Sequence, residues 1–381
     1  MKIAILTFHA SHNFGSVMQA WATQQILKDL GYSSEIINFR ALPQKDKYSI
    51  FPLYSGWKTI VRNITQLKYI RQKYIYFCKY ENFINNFLSL SKELNYPSQM
   101  DAIGDLYDIY IAGSDQIWGY HVPEFVYSKR DIRSTYYLDF TSRPKISYAS
   151  STGTSTLEEL SKYKNLLNEF NYISVRETAG KDLLEKITSQ KVSVVLDPTY
   201  LIPNDTWCSL ANKWPRINKE KYILIYTLQG RKKATKWKQL INSFPSTVRE
   251  KYRIVTVSPF VPINGKNVSN LAYAGPEEIL NLFCNAEFIY TDTFHGMSFA
   301  IHFRKQFVLF EDIKADVRKR NILNRLNLHE RETDDICRAL QLPELKIDYD
   351  NIKPILQTDI EQSKQYLKEA IDNCSRGIDC K

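Results

Sequence analysis

Short apolar runs alternate with helical patterns through the first half of the chain. Residues 3–7 form a continuous apolar run, a helical pattern extends from Gly15 to about Leu30, and a second apolar run covers residues 34–39. This order predicts a βαβ unit whose helix ends at Gly31. Further apolar runs predict strands at residues 106–112, 146–151, 173–175 and 192–196. Such alternation is typical of an α/β domain with a mostly parallel sheet.

The second half repeats this alternation after a polar stretch at residues 203–221, which we interpret as a linker. Apolar runs predict strands at residues 222–228, 253–257, 288–290 and 306–310. The sequence therefore predicts two Rossmann-like βα domains that face a shared cleft. The predicted boundaries are 1–205 with an insertion at about 41–100, then 206–340, then a tail with a helix at 341–381.

The insertion contains an amphipathic pattern between residues 58 and 77. Apolar residues recur there at helical spacing, with lysines and arginines between them: Ile60, Ile64, Leu67, Ile70 and Tyr74. A basic amphipathic helix with aromatic residues can lie on an anionic membrane. More often the apolar stripe packs inward and the charged residues stay in solvent. We therefore predict an inward-facing stripe.

Residues 288–304 combine a strand pattern, a polar turn and a helical pattern. The turn places His295 where the carboxyl end of a strand meets the amino end of a helix. Backbone N–H groups and the positive end of the helix dipole favour a bound anion there. An imidazole at that point can transfer protons near neutral pH. The simpler interpretation is that Thr291 or Thr293 caps the helix and that His295 completes a polar turn.

Small or polar residues also end the predicted strands of the first domain: Asn13, Ser114, Ser150, Arg176 and Asp197. Ligands of open α/β sheets bind at the carboxyl ends of the strands, so we expect these residues on the ligand side. The first loop adds candidates that either contact a ligand or cap the helix: His9, His12, Asn13 and Ser16. That loop has neither a G-x-G-x-x-G nor a P-loop pattern, so no dinucleotide site is predicted.

Composition excludes several classes of protein. The 381 residues, 44% of them hydrophobic, suffice for two cores. The apolar start is too short for a signal peptide and no run is long enough to span a membrane, so we expect a cytoplasmic location. The six scattered cysteines form no metal-binding or disulfide pattern. A net charge of +10 suits an anionic substrate or an anionic membrane, whereas no nucleic-acid recognition motif is present.

Five separated motifs follow strands or begin helices. They are NFGSVMQA at 13–20, GSDQIW at 113–118, ISVRE at 173–177, LDP at 196–198 and TDTFHG at 291–296. In this order they resemble the polysaccharide pyruvyl transferase family, over about residues 1–330. The resemblance implies a GT-B-like fold. It also implies transfer from phosphoenolpyruvate to two hydroxyls of a sugar in a cell-surface polysaccharide or its lipid-linked precursor, which forms a pyruvate ketal.

The resemblance also assigns roles to residues. The basic and His residues near the donor in the family correspond here to Arg176 and His295. We expect His295 to be the acid and Asp115 the base, with Glu177 as an alternative base; both carboxylates could instead only orient Arg176 or a helix end. The remaining candidates are Ser114, Gln116, Thr293 and Gly296 for the donor and Asn13, Ser16 and Gln19 for the acceptor. No metal or redox cofactor is implied.

One departure from the family concerns the donor. Some members carry Arg-Leu-His where this chain has Thr293-Phe294-His295, so one arginine is absent. The candidates to replace its charge are Arg304, Lys305 and the amino end of the helix.

Two other functions remain open. A GT-B glycosyltransferase that uses a nucleotide sugar would share the architecture, and a non-catalytic glycan-assembly protein is compatible with the missing arginine. The expected partners are phosphoenolpyruvate and a sugar acceptor, with a peripheral contact to the inner face of the membrane also allowed by the charge. No nucleic acid is expected as a partner, and the sequence does not indicate an oligomeric state.

Overall fold

The computed structural model describes residues 1–53, 57–65, 67–126, 132–214, 220–228, 231–259, 263, 265, 267–311 and 317–379. The chain divides into unit 1, Met1–Ile202 with Thr358–Lys381, and unit 2, Pro203–Gln357. This division differs from the predicted separate tail at 341–381. The last helix begins at Tyr349, and its fully buried Leu367 and Ile371 lie in the part that belongs to unit 1.

Unit 1 is built on a parallel sheet. Its strands are β1 (Lys2–Leu6), β2 (Ser33–Ile36), β3 (Ile109–Ala112) and β4 (Lys145–Ser147), in the order β2-β1-β3-β4. A parallel pair, β5 (Ile173–Val175) and β6 (Val192–Val194), follows, and the Ser147 N–H donates to the Tyr172 carbonyl at 2.8 Å, next to β5. The strand order reverses between β1 and β3, which makes this the topological switch point of unit 1.

The helices of unit 1 before residue 203 are α1 (Phe14–Asp29), α2 (Leu42–Lys47), α3 (Trp57–Thr65), α4 (Ile70–Phe87), α5 (Pro123–Val126), α6 (Leu157–Ser161), α7 (Lys164–Asn168) and α8 (Thr178–Leu184). The first helix agrees with the prediction. The Asn13 side chain caps it by accepting from the Gly15 N–H at 2.9 Å. Gly31 follows the last turn at a φ of 88°, a conformation that glycine adopts without steric cost.

The insertion shows that the predicted inward-facing stripe is wrong. A 3-10 turn separates α3 from α4, and Ile60 and Ile64 of α3 are 49% and 62% exposed. Thr59 and Asn63 of this helix are buried, and the Asn63 side chain donates to the Pro52 carbonyl at 2.8 Å. The polar face of α3 therefore holds the helix to the protein, and its apolar face points outward.

Unit 2 contains a Rossmann-type sheet. Its parallel strands are β7 (Tyr222–Tyr226), β8 (Arg253–Val257), β9 (Val268–Asn270), β10 (Phe288–Thr291), β11 (Gln306–Phe310) and β12 (Glu332–Thr333), in the order β12-β11-β10-β7-β8-β9. Counted within the unit, this is the strand order 3-2-1-4-5-6 of dinucleotide-binding folds. The order reverses between β7 and β10, which is the switch point of unit 2.

The helices that begin in unit 2 are α9 (Asn204–Ala211), α10 (Arg231–Ser243), α11 (Ser246–Lys251), α12 (Pro276–Asn285), α13 (Phe294–His302), α14 (Val317–Arg325), α15 (Ile336–Gln341) and α16 (Tyr349–Asp379). The predicted linker at 203–221 is wrong in its first part, because residues 204–211 form α9. Trp207 of α9 is fully buried and packs edge-on against Phe299 of α13, with ring centroids 5.0 Å apart. Residues 215–219 lie outside the described part of the chain.

Candidate functional site

Unit 2 has a buried polar cluster at its switch point. Asp292 directly follows β10 and is 3% exposed. Its carboxylate accepts hydrogen bonds from the hydroxyl of Thr227, which directly follows β7, and from the indole N–H of Trp237 at 3.3 Å. Burial raises the pKa of Asp292, because the charged carboxylate loses its hydration. The cluster thus links the two strands between which the sheet order reverses.

Lys319 of α14 ties the same edge of the sheet together. Its side chain is 4% exposed, and its ammonium donates to the carbonyl oxygen of Asp292 at 2.7 Å and to the carboxylate of Glu311 at 2.5 Å. Glu311 directly follows β11. One buried lysine therefore connects the ends of two strands, and the ion pair with Glu311 compensates its charge.

The predicted anion-binding turn comes directly after Asp292. The Thr293 hydroxyl caps α13 by accepting from the Gly296 N–H at 2.8 Å. A Cβ at residue 296 would lie 2.1 Å from Thr291 Oγ1 and 2.6 Å from Thr293 Oγ1. Glycine is therefore required at this position for the turn to keep its shape. Of the two sequence interpretations, the cap by Thr293 is present in the structure, and it leaves the amino end of α13 formed and oriented.

His295 lies in the first turn of α13. Its side chain is partly exposed, and its ring packs edge-on against the ring of Phe294 with centroids 5.1 Å apart. The Arg318 guanidinium of α14 lies 5.9 Å from the centroid of the same Phe294 ring. An imidazole, a guanidinium and the amino end of a helix therefore lie close to one aromatic ring. Together they provide the cationic and N–H donors that an anion needs.

Arg304 and Lys305 do not supply the missing arginine at this turn. Both follow the carboxyl end of α13, and Lys305 leads into β11 at the opposite edge of the sheet. Arg304 pairs with the exposed Asp350. Arg318, which the sequence did not single out, is instead the basic residue that contacts the ring next to His295.

Unit 1 brings several predicted residues together at its own switch point. The Ser16 hydroxyl, in the first turn of α1, donates to the Asp115 carboxylate at 2.7 Å. The Thr7 hydroxyl, directly after β1, donates to the Ser114 carbonyl at 2.9 Å. Asp115 has a φ of 75°, in the left-handed region, and its carboxylate also accepts from the Gln116 N–H at 2.8 Å. These bonds fix the Asp115 carboxylate between α1 and β3.

Arg176 has surroundings that differ from those its predicted donor-binding role requires. Its side chain is 1% exposed and donates to Asp197 at 2.7 Å, with oxygens of Asp115 and Glu177 at 3.5 and 4.0 Å. The Ser114 hydroxyl also donates to Asp197, at 3.3 Å. Three carboxyl groups thus surround one guanidinium, whose positive charge is already compensated. The guanidinium thus holds three carboxyl groups in place, and its predicted contact with the donor stays a prediction.

Of the other predicted residues of unit 1, some support the first loop and α1, and one is partly exposed. Gln19 is fully buried, and its side-chain amide donates to the Thr7 hydroxyl and the Ser16 carbonyl, both at 2.9 Å. It supports the first loop, and its predicted contact with an acceptor stays a prediction. Asn13 serves as the cap of α1, whereas Gln116 is partly exposed beside Asp115.

The two histidines of the first loop are engaged inside unit 1. His9 is fully buried, with Nε2 at 2.9 Å from Asn38 Oδ1, and burial lowers its pKa to about 4. His12 pairs with Glu81 of α4 at 2.9 Å, and the Arg40 guanidinium bonds the same carboxylate. These contacts connect the loop after β1 to the insertion.

The sequence does not predict a site role for most of the residues that shape the two clusters. These residues are Thr7, Thr227, Trp237, Glu311, Arg318 and Lys319. A usable signal exists for Thr7 and Thr227, which are polar residues at the ends of apolar runs, and for Glu311, which directly follows one. No signal existed for Arg318 and Lys319. Both lie in α14, from which Lys319 reaches the ends of two strands and Arg318 the Phe294 ring of α13, and only the fold reveals these contacts.

Neither a metal site nor a membrane span is found among the residues that the structure describes. Within those ranges no group of three or more His, Cys, Asp or Glu residues could hold a metal ion. The helices in the same ranges are too short or too polar to cross a membrane.

Solved structures define the class of this fold. The UDP-GlcNAc 2-epimerase from Neisseria meningitidis, bound to UDP-GlcNAc, is similar with a TM-score of 0.53 at 11% identity, over 98% of this chain and 100% of that chain. The UDP-GlcNAc 2-epimerase from Methanocaldococcus jannaschii gives 0.52 at 11%, over 91% and 93% of the two chains. At such identity the likeness shows the fold alone. It confirms the predicted class, α/β with two Rossmann-like domains of the GT-B-like type.

The family follows from the sequence match. The family model described as polysaccharide pyruvyl transferase matches residues 13–312, most of the chain. The chain therefore belongs to the polysaccharide pyruvyl transferase family, as the order of its five motifs indicated. A search of curated proteins gives no match.

Proposed function

We propose that the protein transfers the enolpyruvyl group of phosphoenolpyruvate to two hydroxyls of a sugar, in a cell-surface polysaccharide or its lipid-linked precursor, and forms a pyruvate ketal. Family membership supports this reaction class. The observation that supports binding of the donor is the arrangement of His295, Arg318 and the amino end of α13 around Phe294. Phosphoenolpyruvate is a small trianion, and this arrangement provides positive charge and N–H donors near one helix end.

His295 acts as the acid in this proposal. The protonated imidazole gives its proton to the methylene carbon of phosphoenolpyruvate, which becomes a methyl group and leaves the central carbon electrophilic. One sugar hydroxyl attacks that carbon and forms the first C–O bond. A second hydroxyl attacks, the C–O bond to phosphate breaks, and phosphate leaves with one proton. The two hydroxyls release two protons. One replaces the proton that was given to carbon, and the other leaves with phosphate.

Asp115 acts as the base towards the sugar hydroxyls. Its side chain is 13% exposed, compared with 2% for Glu177 and 0% for Asp197. It is therefore the carboxylate of this cluster that a substrate reaches most easily. Ser16 and Arg176 position it through the contacts described above.

No metal or redox cofactor is needed in this proposal, because protonation activates the donor. A lipid-linked acceptor places the reaction at the inner face of the membrane. The nucleotide-sugar alternative rests on the fold alone, so it enters as an outcome of the test.

Calorimetric titration of the full chain tests the donor. We expect saturable binding of phosphoenolpyruvate and none of UDP-GlcNAc. In Arg318→Ala the affinity should fall about tenfold or more, because a hydrogen bond to a charged group contributes about 1.5–3 kcal/mol. Arg304→Ala is the matched control, since it removes an arginine at the other end of α13 and should bind as the parent does.

Each other outcome contradicts a defined part of the proposal. Binding of UDP-GlcNAc without phosphoenolpyruvate would favour a nucleotide-sugar enzyme. Silence from both ligands would favour a non-catalytic protein. Equal affinities in Arg318→Ala and the parent would remove Arg318 from the donor site.

A further inference from the structure

Within the described part of the protein, no other element covers the apolar face of α3. Trp57, Ile60, Val61 and Ile64 recur at helical spacing and are 70%, 49%, 48% and 62% exposed. The opposite face is polar yet buried, with Thr59 at 3% and Asn63 at 8% exposure. A soluble helix normally has the reverse arrangement, with its apolar face toward the core. The inversion indicates that the outward face is built to contact something else.

The exposed apolar character continues beyond α3. Leu67, in the turn after α3, is 50% exposed, and Ile70 and Tyr74, at the start of α4, are 39% and 57% exposed. We call the outward side chains from Trp57 to Tyr74 the insertion surface. Aliphatic and aromatic side chains are mixed on it, as they are in helices that lie at the boundary between lipid headgroups and acyl chains.

The charge of the insertion identifies the kind of partner. No Asp or Glu occurs between Asp46 and Glu81, while seven basic residues do: Lys47, Lys58, Arg62, Lys68, Arg71, Lys73 and Lys79. Of these, Lys68 and Arg71 are exposed beside the apolar residues. A second copy of the chain would bring this positive charge against itself, which disfavours a dimer through this surface. An anionic lipid surface complements the charge and accepts the apolar side chains together.

We propose that the insertion surface docks the protein on the surface of an anionic lipid bilayer. The apolar face of α3 enters the headgroup region in the plane of the membrane, and the basic residues contact lipid phosphates. Thr59 and Asn63 keep the helix attached to unit 1. The inference names the surface that a peripheral membrane contact would use. It does not depend on the chemistry of pyruvyl transfer.

Vesicle flotation of the full chain, without donor or acceptor, tests this proposal. We expect the protein to float with vesicles of phosphatidylcholine and phosphatidylglycerol, and to float less with pure phosphatidylcholine or at high salt. The triple variant Trp57→Ser, Ile60→Ser, Ile64→Ser should lose binding, although its thermal unfolding should not change, because these side chains are exposed. The matched control, Leu106→Ser with Leu345→Ser, removes exposed apolar residues elsewhere and should bind like the parent.

A charge series makes the test independent of apolar substitutions. Lys68→Glu, Arg71→Glu and Lys73→Glu together should weaken partitioning into anionic vesicles on the order of 100-fold. Lys186→Glu, Lys191→Glu and Lys238→Glu change the net charge equally at exposed positions elsewhere, so any smaller loss in that control measures the general effect of charge. Quenching of tryptophan fluorescence by brominated lipids should disappear in Trp57→Phe.

Three results would overturn the proposal. The first is no flotation with anionic vesicles. The second is equal flotation of the parent and the two insertion variants. The third is a concentration-dependent dimer that the apolar triple variant abolishes, measured by sedimentation without lipid, since this would assign the surface to a second copy. The calorimetric test of the donor is a separate measurement, so either proposal can fail while the other stands.

Discussion

The switch points of the two units share a plan and differ in what they present. In each, a threonine directly after the first strand donates its hydroxyl across the switch point, Thr7 to the Ser114 carbonyl and Thr227 to the Asp292 carboxylate. In each, an acidic residue follows the strand on the other side, Asp115 or Asp292. In both units, a threonine hydroxyl therefore bridges the gap between the two strands whose connections diverge.

The two units differ in what surrounds the acidic residue of the switch point. In unit 2 the Asp292 carboxylate is occupied by Thr227 and Trp237 inside the protein, and the group left at the edge is the amino end of α13 with His295. In unit 1 the buried Arg176 holds the acidic cluster, and the Asp115 carboxylate reaches the edge. One switch point therefore carries an imidazole and the amino end of a helix, and the other carries a carboxylate.

The largest expected effect is on turnover at the unit 2 switch point. His295→Gln removes the proposed proton donor but keeps a polar side chain on the first turn of α13. Loss of a general acid slows a reaction by about 10²- to 10⁴-fold. Phosphate release from phosphoenolpyruvate with a panel of glycan acceptors measures this loss. Binding of phosphoenolpyruvate should persist in the variant, since Arg318 and the helix end remain.

His329→Gln is the matched control for that variant, because His329 is an exposed histidine of the same unit. Its rate should equal that of the parent. Near-normal phosphate release in His295→Gln would assign the acid to another residue and remove the contrast between the two switch points.

The next effect concerns stability at the unit 1 switch point. Arg176→Met leaves Asp197, Asp115 and Glu177 without the guanidinium that they surround. Removing one partner of a buried ion pair typically costs about 3–5 kcal/mol. Arg143→Met is the control, since Arg143 pairs with Asp105 at 3.1 Å on the surface and such a pair contributes about 0–1 kcal/mol. Urea unfolding compares the two, and equal losses would contradict the positioning role of Arg176.

Much of this plan was accessible from the sequence because strand periodicity and turn residues act locally. The strands at residues 173–175, 253–257 and 306–310 match the prediction, and the sequence indicates Ser114, Asp115 and His295 because each follows an apolar run. The roles of side chains were less accessible. The sequence predicts an anion contact for Arg176, and only the fold reveals the three carboxylates that surround this residue. The short, polar edge strand β9 escaped because it carries no apolar run.

The insertion shows where periodicity predicts the wrong direction. The spacing of Ile60 and Ile64 correctly indicated a helix with one apolar face. Periodicity gives the width of that face but not what covers it. The outward direction was decided by the opposite face, where the Asn63 amide finds the Pro52 carbonyl and Thr59 is buried.

The smallest of the three effects is a difference in pH response between the two switch points. The folded-state pKa of His9, about 4, lies below its ordinary value of 6.5. Its main cause is burial, to which the charge of Arg40 adds, while the Asn38 hydrogen bond and Glu81 oppose it. The unfolded chain therefore binds a proton between pH 6.5 and 4 that the folded chain refuses, so stability falls as the pH falls through this window. Burial instead raises the pKa of Asp292, so the folded chain keeps the proton of this carboxyl to higher pH than the unfolded chain does. The contribution of Asp292 to stability therefore rises as the pH falls, opposite to that of His9.

Urea unfolding of the parent and His9→Gln at pH 7 and pH 5 measures the His9 contribution. The substitution can change stability at both pH values, so the informative quantity is the difference between them. We expect the parent to lose about 2 kcal/mol more than His9→Gln on going from pH 7 to pH 5. His329→Gln, at an exposed position, should follow the parent. Parallel losses in the parent and His9→Gln would mean that His9 is charged in the folded protein, and that the unit 1 switch point is more open to water than its burial indicates.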